Sequence, residues 1–209
     1  MPFLRSLGAL SSRNVLLTIA ALGTAAAIAG VGTYATFTSS TTASQTIGSG
    51  TVTISLGATG AATNRLNVGA SNIAAGDTIQ RSVDLVNQGT LDLSTISLST
   101  TATTSSRLDS DTSNGLQMAI DRCSVPWSEG GSAPAYTYSC SGTTSSVLAS
   151  TPVVGANMAL ANMGALTHGT TDHLRVTLSL PASAPNSLQS QSSVVQYTFN
   201  GTQRAAQSQ

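Results

Sequence analysis

The chain has 209 residues and a formal net charge of zero; hydrophobic residues make up 40%, aromatics 4% and charged residues only 8%. Its eight Arg, with no Lys, are scattered, so no clustered cationic surface exists for phosphates and nucleic acid is excluded as a partner class. So few ionisable groups also leave little from which to build a catalytic site, and 32 Ser with 30 Thr mark a Thr/Ser-rich β protein of a cell exterior.

Residues 1–35 read as a signal peptide. Arg5 and Arg13 supply a basic start, and no acid precedes Asp77. An apolar stretch spans 15–31, and Thr33-Tyr34-Ala35 then puts small residues at −3 and −1 of a cleavage point between Ala35 and Thr36. The competing reading is a retained membrane anchor, for which this Ala- and Gly-rich stretch sits at the lower limit for a ~30 Å hydrocarbon core. Cleavage leaves 174 residues with six Arg and eight acids, a net charge of −2, in a protein secreted to the extracellular matrix or cell surface.

Residues 36–49 are rich in β-branched Thr, uncharged and short of large apolar side chains. Such a segment buries too little to offset its own ordering entropy. It is a strand awaiting a partner, a disordered linker, or an edge strand of its own domain.

From residue 50 to 201 the dominant signal is alternation with period two. Val52, Ile54 and Leu56 share one face, as do Ile79, Val83 and Leu85. Asn87-Gln88-Gly89 predicts a turn in which Gly89 supplies a positive φ. The phase change between Leu93 and Ile96 predicts a β-bulge, and 99–106 reads as a loop tip. A short strand at 116–120 leads to Cys123 and Cys140, the only cysteines. An oxidising exterior favours their bridging over two free thiols. The bridge staples a loop holding Trp127, Tyr136 and Tyr138, as a satellite core or a binding face.

Met158, Leu160, Met163 and Leu166 have spacings a helix can use, which predicts the one helical candidate within 147–166, with Pro152 in its first turn. Val176 and Leu178 mark a clear strand at 174–180, stopped by Pro181, and Val195, Tyr197 and Phe199 mark the last; the tail 202–209 is polar. Strands separated by turn-rich loops predict an all-β protein, a two-sheet antiparallel sandwich of jelly-roll type with at most one or two short helices.

Three blocks in order resemble one family. The first is Gly32-Thr33-Tyr34-Ala35-Thr36-Phe37-Thr38 with Gly48-Ser49-Gly50-Thr51-Val52; the second is Ser71-Asn72-Ile73-Ala74-Ala75-Gly76-Asp77 followed by Asn87-Gln88-Gly89-Thr90. The third holds Asn186, Gln189, Val195-Gln196-Tyr197-Thr198-Phe199 and Gln203. Together they resemble the TasA/camelysin family of secreted bacterial proteins, with good coverage at both ends and little from about 100 to 170. Ala75 departs from the family's usual Pro before Gly-Asp. The resemblance implies a jelly-roll domain freed by a dedicated signal peptidase and polymerised head to tail with copies of itself into matrix or biofilm fibres, with or without an accessory matrix protein. It also implies that the freed segment, with Thr36, Phe37, Thr38, Thr46 and Ile47, adds as a donor strand to the neighbouring subunit.

Camelysin carries a metallopeptidase attribution, so an exported metallopeptidase is the alternative; a monomeric adhesin is a third reading, carried by the aromatic cysteine loop. A catalytic zinc needs three protein ligands, commonly His-Glu-x-x-His on one helix face. Only His168 and His173 exist, five apart with Gly169 between, and Asp172 is the nearest completing ligand; solvated loop residues are the ordinary alternative. Asp109 and Asp111 read as solvated turn residues or a weak calcium contact. The expectation is a non-enzymatic structural protein without cofactors.

Overall fold

The computed structural model describes residues 49–70 and 72–206. The signal segment with its Ala35–Thr36 cleavage point, and the donor residues Thr36, Phe37, Thr38, Thr46 and Ile47, lie outside the described residues. Among those described, no helix is long and apolar enough to cross a membrane.

The chain is nearly all β, with antiparallel sheets of five, three and two strands. The strands are β1 (Ile54–Leu56), β2 (Thr78–Asn87), β3 (Leu93–Thr104), β4 (Gln117–Cys123), β5 (Ser128–Ser132), β6 (Ala135–Ser139), β7 (Thr144–Pro152), β8 (Gly155–Ala159), β9 (Thr171–Ser179) and β10 (Val194–Gln203). Among the described residues, one four-residue helix, α1 (Arg107–Ser110), and a 3-10 turn at Asn186–Leu188 complete them. The pairings are nested: β5 with β6, β4 with β7, β3 with β8 and β2 with β9. One long hairpin is thus rolled up, and β4 closes the roll against β9. This is the expected jelly-roll sandwich. β1 extends the larger sheet beside β2, and β10 extends the smaller beside β3.

Period-two alternation explains which faces meet. On β2, Arg81, Val83, Leu85 and Asn87 are buried; on β9, Asp172, Leu174 and Val176; on β4, Met118 and Ile120. The smaller sheet answers with Ile96, Leu98 and Thr100 from β3, and Val195, Tyr197 and Phe199 pack on the same core from β10. Each fully buried Leu, Ile or Val contributes roughly 1.5–3 kcal/mol.

The predicted bulge is present. Thr202 pairs with Thr95 and Gln203 with Leu93, which leaves Ser94 unpaired, its hydroxyl donating to the carbonyls of Thr202 and Gln203. Gly89, by contrast, is not at positive φ. A Cβ there would collide with the Thr51 carbonyl, and the Gly89 and Gln88 N–H groups both reach Thr53 O. Glycine is needed for close approach of two backbones, not for a left-handed turn.

Three other expectations are corrected. The helix within 147–166 is absent: that stretch forms β7 and β8, joined by a crossing that buries Val153. Ladders to β4 and β3 supply tertiary hydrogen bonds that a Gly-interrupted helix does not offset. The 99–106 tip is instead the far half of β3, whose β-branched threonines pair with β10 as far as Thr104. Asp109 is not a solvated turn residue, being 7% exposed. It closes a capping box with Ser106 on α1 and accepts from Ser105 and Ser193.

Candidate functional site

The possible metal ligands do not converge. Asp172 and His173 are consecutive on β9, so their side chains take opposite faces. Asp172 points inward with no solvent exposure, accepting the N–H groups of Gly164 and Ala165 at 2.8 Å each, with Arg122 Nε at 3.2 Å. His173 lies on the outer face, its Nδ1 2.8 Å from Oδ1 of the cross-strand Asp84. His168, in the loop before β9, has Nδ1 2.8 Å from Asp92 Oδ1, and its N–H donates to the same oxygen.

The remaining carboxylates are also engaged: Asp77 by Ala74 N–H, Asp111 by Ser113 and Asn114, Asp121 by Arg175, and Glu129 by Arg65 and Tyr138. Among the described residues no group of three His, Cys, Asp or Glu is placed to hold a metal, and the sequence has none of these residue types outside them. A zinc centre with three ligands and an open position does not fit this donor set.

The cysteine loop is a folded layer. Cys123 and Cys140 are bridged, with Cα atoms 5.7 Å apart. The bridge holds the β5–β6 hairpin near the outer faces of β2 and β9. Trp127 donates from Nε1 to His173 O at 2.9 Å and lies under the Arg175 guanidinium, 4.5 Å from its ring centre. Tyr138 is 7% exposed and donates to Glu129, while Arg65 stands over the Tyr136 ring at 4.7 Å. Sequence reasoning missed Arg81: buried, with no carboxylate partner, it donates to the carbonyls of Val68, Gly69, Gln80 and Pro134, tying the 57–70 loop and the hairpin to β2. Desolvation holds its pKa below the ordinary Arg value. The aromatic residues therefore form a satellite layer rather than an open cleft.

Several carboxyls are held below their ordinary range. Hydrogen bonds from Arg65, then Tyr138, lower Glu129 against burial. At Asp109 burial pushes upward, but bonds from Ser193, Ser106 and Ser105 outweigh it. Backbone N–H donors lower Asp92 and Asp111. A depressed carboxyl stabilises the fold above its unfolded pKa of about 4 and loses that contribution as pH falls through the folded value. Urea midpoints are therefore expected to hold from pH 7 to about 5 and drop below about 4. A profile flat to pH 2 would contradict these bonds.

The sheet edges differ sharply. β1 has three residues and β8 five. β7 has nine, but Ala161 N–H bonds Val147 O and the Asn162 amide bonds Ser146 O along its flank. β10 has ten residues, paired with β3 on one side only. It meets the larger sheet near Gly201, where a Cβ would run into Ile54. Val195, Tyr197 and Phe199 are only half-buried although they face the core, and burial pushes the Tyr197 phenol up to about 12.

Residues 12–208 match a protein family described as camelysin metallo-endopeptidase. No curated protein matches the sequence.

Proposed function

The chain belongs to the camelysin family, which includes TasA, and on that footing we propose that it is a secreted structural protein that polymerises into extracellular fibres. Residues 36–49 of one copy add as a strand to the sandwich of the next. Cleavage after Ala35 is the switch, because a segment still bonded to a membrane-held signal is not free to reach another subunit. Repetition head to tail is a heterologous contact, which gives an open filament rather than a ring. TasA members are structural, and a disulfide-bridged β sandwich suits an oxidising exterior.

The observation that carries this reading is the full engagement of the acidic and His side chains in the fold's own hydrogen bonds. The family's description names a metallo-endopeptidase, yet this chain offers no three converging ligands, so no hydrolytic step is derived for it. What it does offer is a complete core from Ile54 onward and an uncharged, β-prone segment ahead of it that is too poor in apolar residues to fold alone.

Electron microscopy of the chain beginning at Thr36, beside one beginning at Gly50, tests this. Filaments are expected from the first and none from the second. Filaments that persist without 36–49 would remove strand exchange as the mechanism, and peptidase activity abolished by a chelator and by loss of His168 or His173 would remove the structural reading altogether.

A further inference from the structure

We infer that the outer edge of β10 is the surface that receives residues 36–47 of a second copy, through the peptide groups of Val195, Tyr197, Phe199 and Gly201. This rests on the fibre reading and names the receiving site within it.

Alternation along the ladder identifies those groups. Leu160, just past β8, donates its N–H to Ile96 O. Because β8 lies on the far side of β3 from β10, the peptide groups of Ile96, Leu98 and Thr100 face β8. Those of Ser97, Ser99 and Thr101 face β10. Their partners are Asn200, Thr198 and Gln196, so these three spend their peptide groups on β3. The intervening Val195, Tyr197, Phe199 and Gly201 aim theirs outward. None of the four has a backbone partner beyond β3 among the described residues. The edge thus presents four donors and four acceptors in a row, a template for one more strand.

Dimensions and chemistry fit the occupant. In an extended segment Phe37 and Ile47 are ten residues apart, about 33 Å, and share a face with Ala43; the ten residues of β10 span about 30 Å. Neither the segment nor β10 carries a charge, so no ion is desolvated when they pair. The half-buried Val195, Tyr197 and Phe199 give apolar side chains of an incoming strand something to cover. No natural device blunts this edge: it has no Pro, no Lys and no covering segment among the described residues.

A second copy suits the site better than the chain's own segment. Gly50 is packed against Leu91, and Arg204 N–H bonds Asp92 O, so the chain enters beside the C-terminal end of β10. A segment folding back on its own β10 would therefore run parallel to it. A second copy is free to lie antiparallel, the more stable ladder per residue.

Residue-resolved amide hydrogen exchange on the chain beginning at Thr36, dilute and after concentration into filaments, decides the matter. In filaments, exchange at Val195, Tyr197, Phe199 and Gly201 is expected to slow about a hundredfold or more, while Gln196, Thr198 and Asn200, already bonded to β3, change little. Filaments whose new protection falls on β7 or β8 overturn this assignment and leave strand exchange standing. The same four amides already protected in the dilute monomer overturn the second copy as occupant. Absence of filaments with no new protection overturns both the assignment and the fibre reading.

Discussion

Replacing Asp172 by Ala is expected to lower folding stability by about 3 kcal/mol. The carboxylate is fully buried and satisfies two backbone donors at once, Gly164 and Ala165, while Arg122 approaches its Oδ1. Arg122 keeps 29% side-chain exposure, so it recovers water when its partner goes. The Ala165 N–H sits in a buried bond and does not. An unsatisfied buried donor costs roughly 1–3 kcal/mol, and the buried Ala165 N–H, with the part-buried Gly164 N–H beside it, sets the size of the effect. Asp172→Asn keeps one acceptor oxygen and is expected to lose about half as much. Urea unfolding of the two variants reads this directly; an Ala variant within about 0.5 kcal/mol of the parent would show that the loop 163–170 does not depend on β9 in this way.

Removing the disulfide, as Cys123→Ser with Cys140→Ser, is expected to cost about 3 kcal/mol through loop-closure entropy, since the partners are 17 positions apart. For a domain of this size that corresponds to roughly 6–12 °C in Tm. The loss should be local first. The β5–β6 hairpin adds little to the main hydrophobic core, and its attachments are Trp127 on β9, the Tyr138 N–H on Gln80 and the Pro134 carbonyl on Arg81 of β2, and Glu129 on Arg65 of the 57–70 loop. Trp127 fluorescence, from the chain's single Trp, is therefore expected to change at lower denaturant than far-UV circular dichroism in the Ser variant, with both coincident in the parent. Coincident transitions at an unchanged midpoint in the variant would contradict the stapling role.

The strands that were legible are those with one buried face. β2, β9 and β10 alternate because polar side chains separate most of their core residues (Ser82 and Asp84 on β2, His173, Arg175 and Thr177 on β9, Gln196, Thr198 and Asn200 on β10), and alternation is what the sequence pattern reports. β7 and β8 escaped because Met158, Leu160, Met163 and Leu166 fall at near-helical intervals while serving an edge strand and a loop; their partners on β4 and β3 are distant in sequence. The β5–β6 hairpin lacks large aliphatic residues. Its signal was the alternation of Tyr136 and Tyr138 after Gly-Gly-Ser-Ala-Pro. Its place between His168 and His173 suggests Asp172 as a metal ligand in a loop, although extending the phase of Leu174 and Val176 back by two residues puts it on the inward face. The β10 edge was legible as an uncharged alternating strand, but its open flank depends on sheet order, which no local pattern encodes.

The nested pairing of strands has a kinetic consequence. Partners on β5 and β6 are at most 11 positions apart, whereas Thr78 and Ser179, joining β2 to β9, are 101 apart. Contacts of such long range are slow to form unless inner ones have already shortened the path. Growth from the tip outward, like a zip fastener, is therefore the fast route, with the disulfide set near its first teeth. β10, whose first partner on β3 lies 90 positions earlier, joins among the last. A half-finished molecule thus has no completed β10 edge to offer a neighbour, and the order of folding itself keeps immature chains out of a growing polymer.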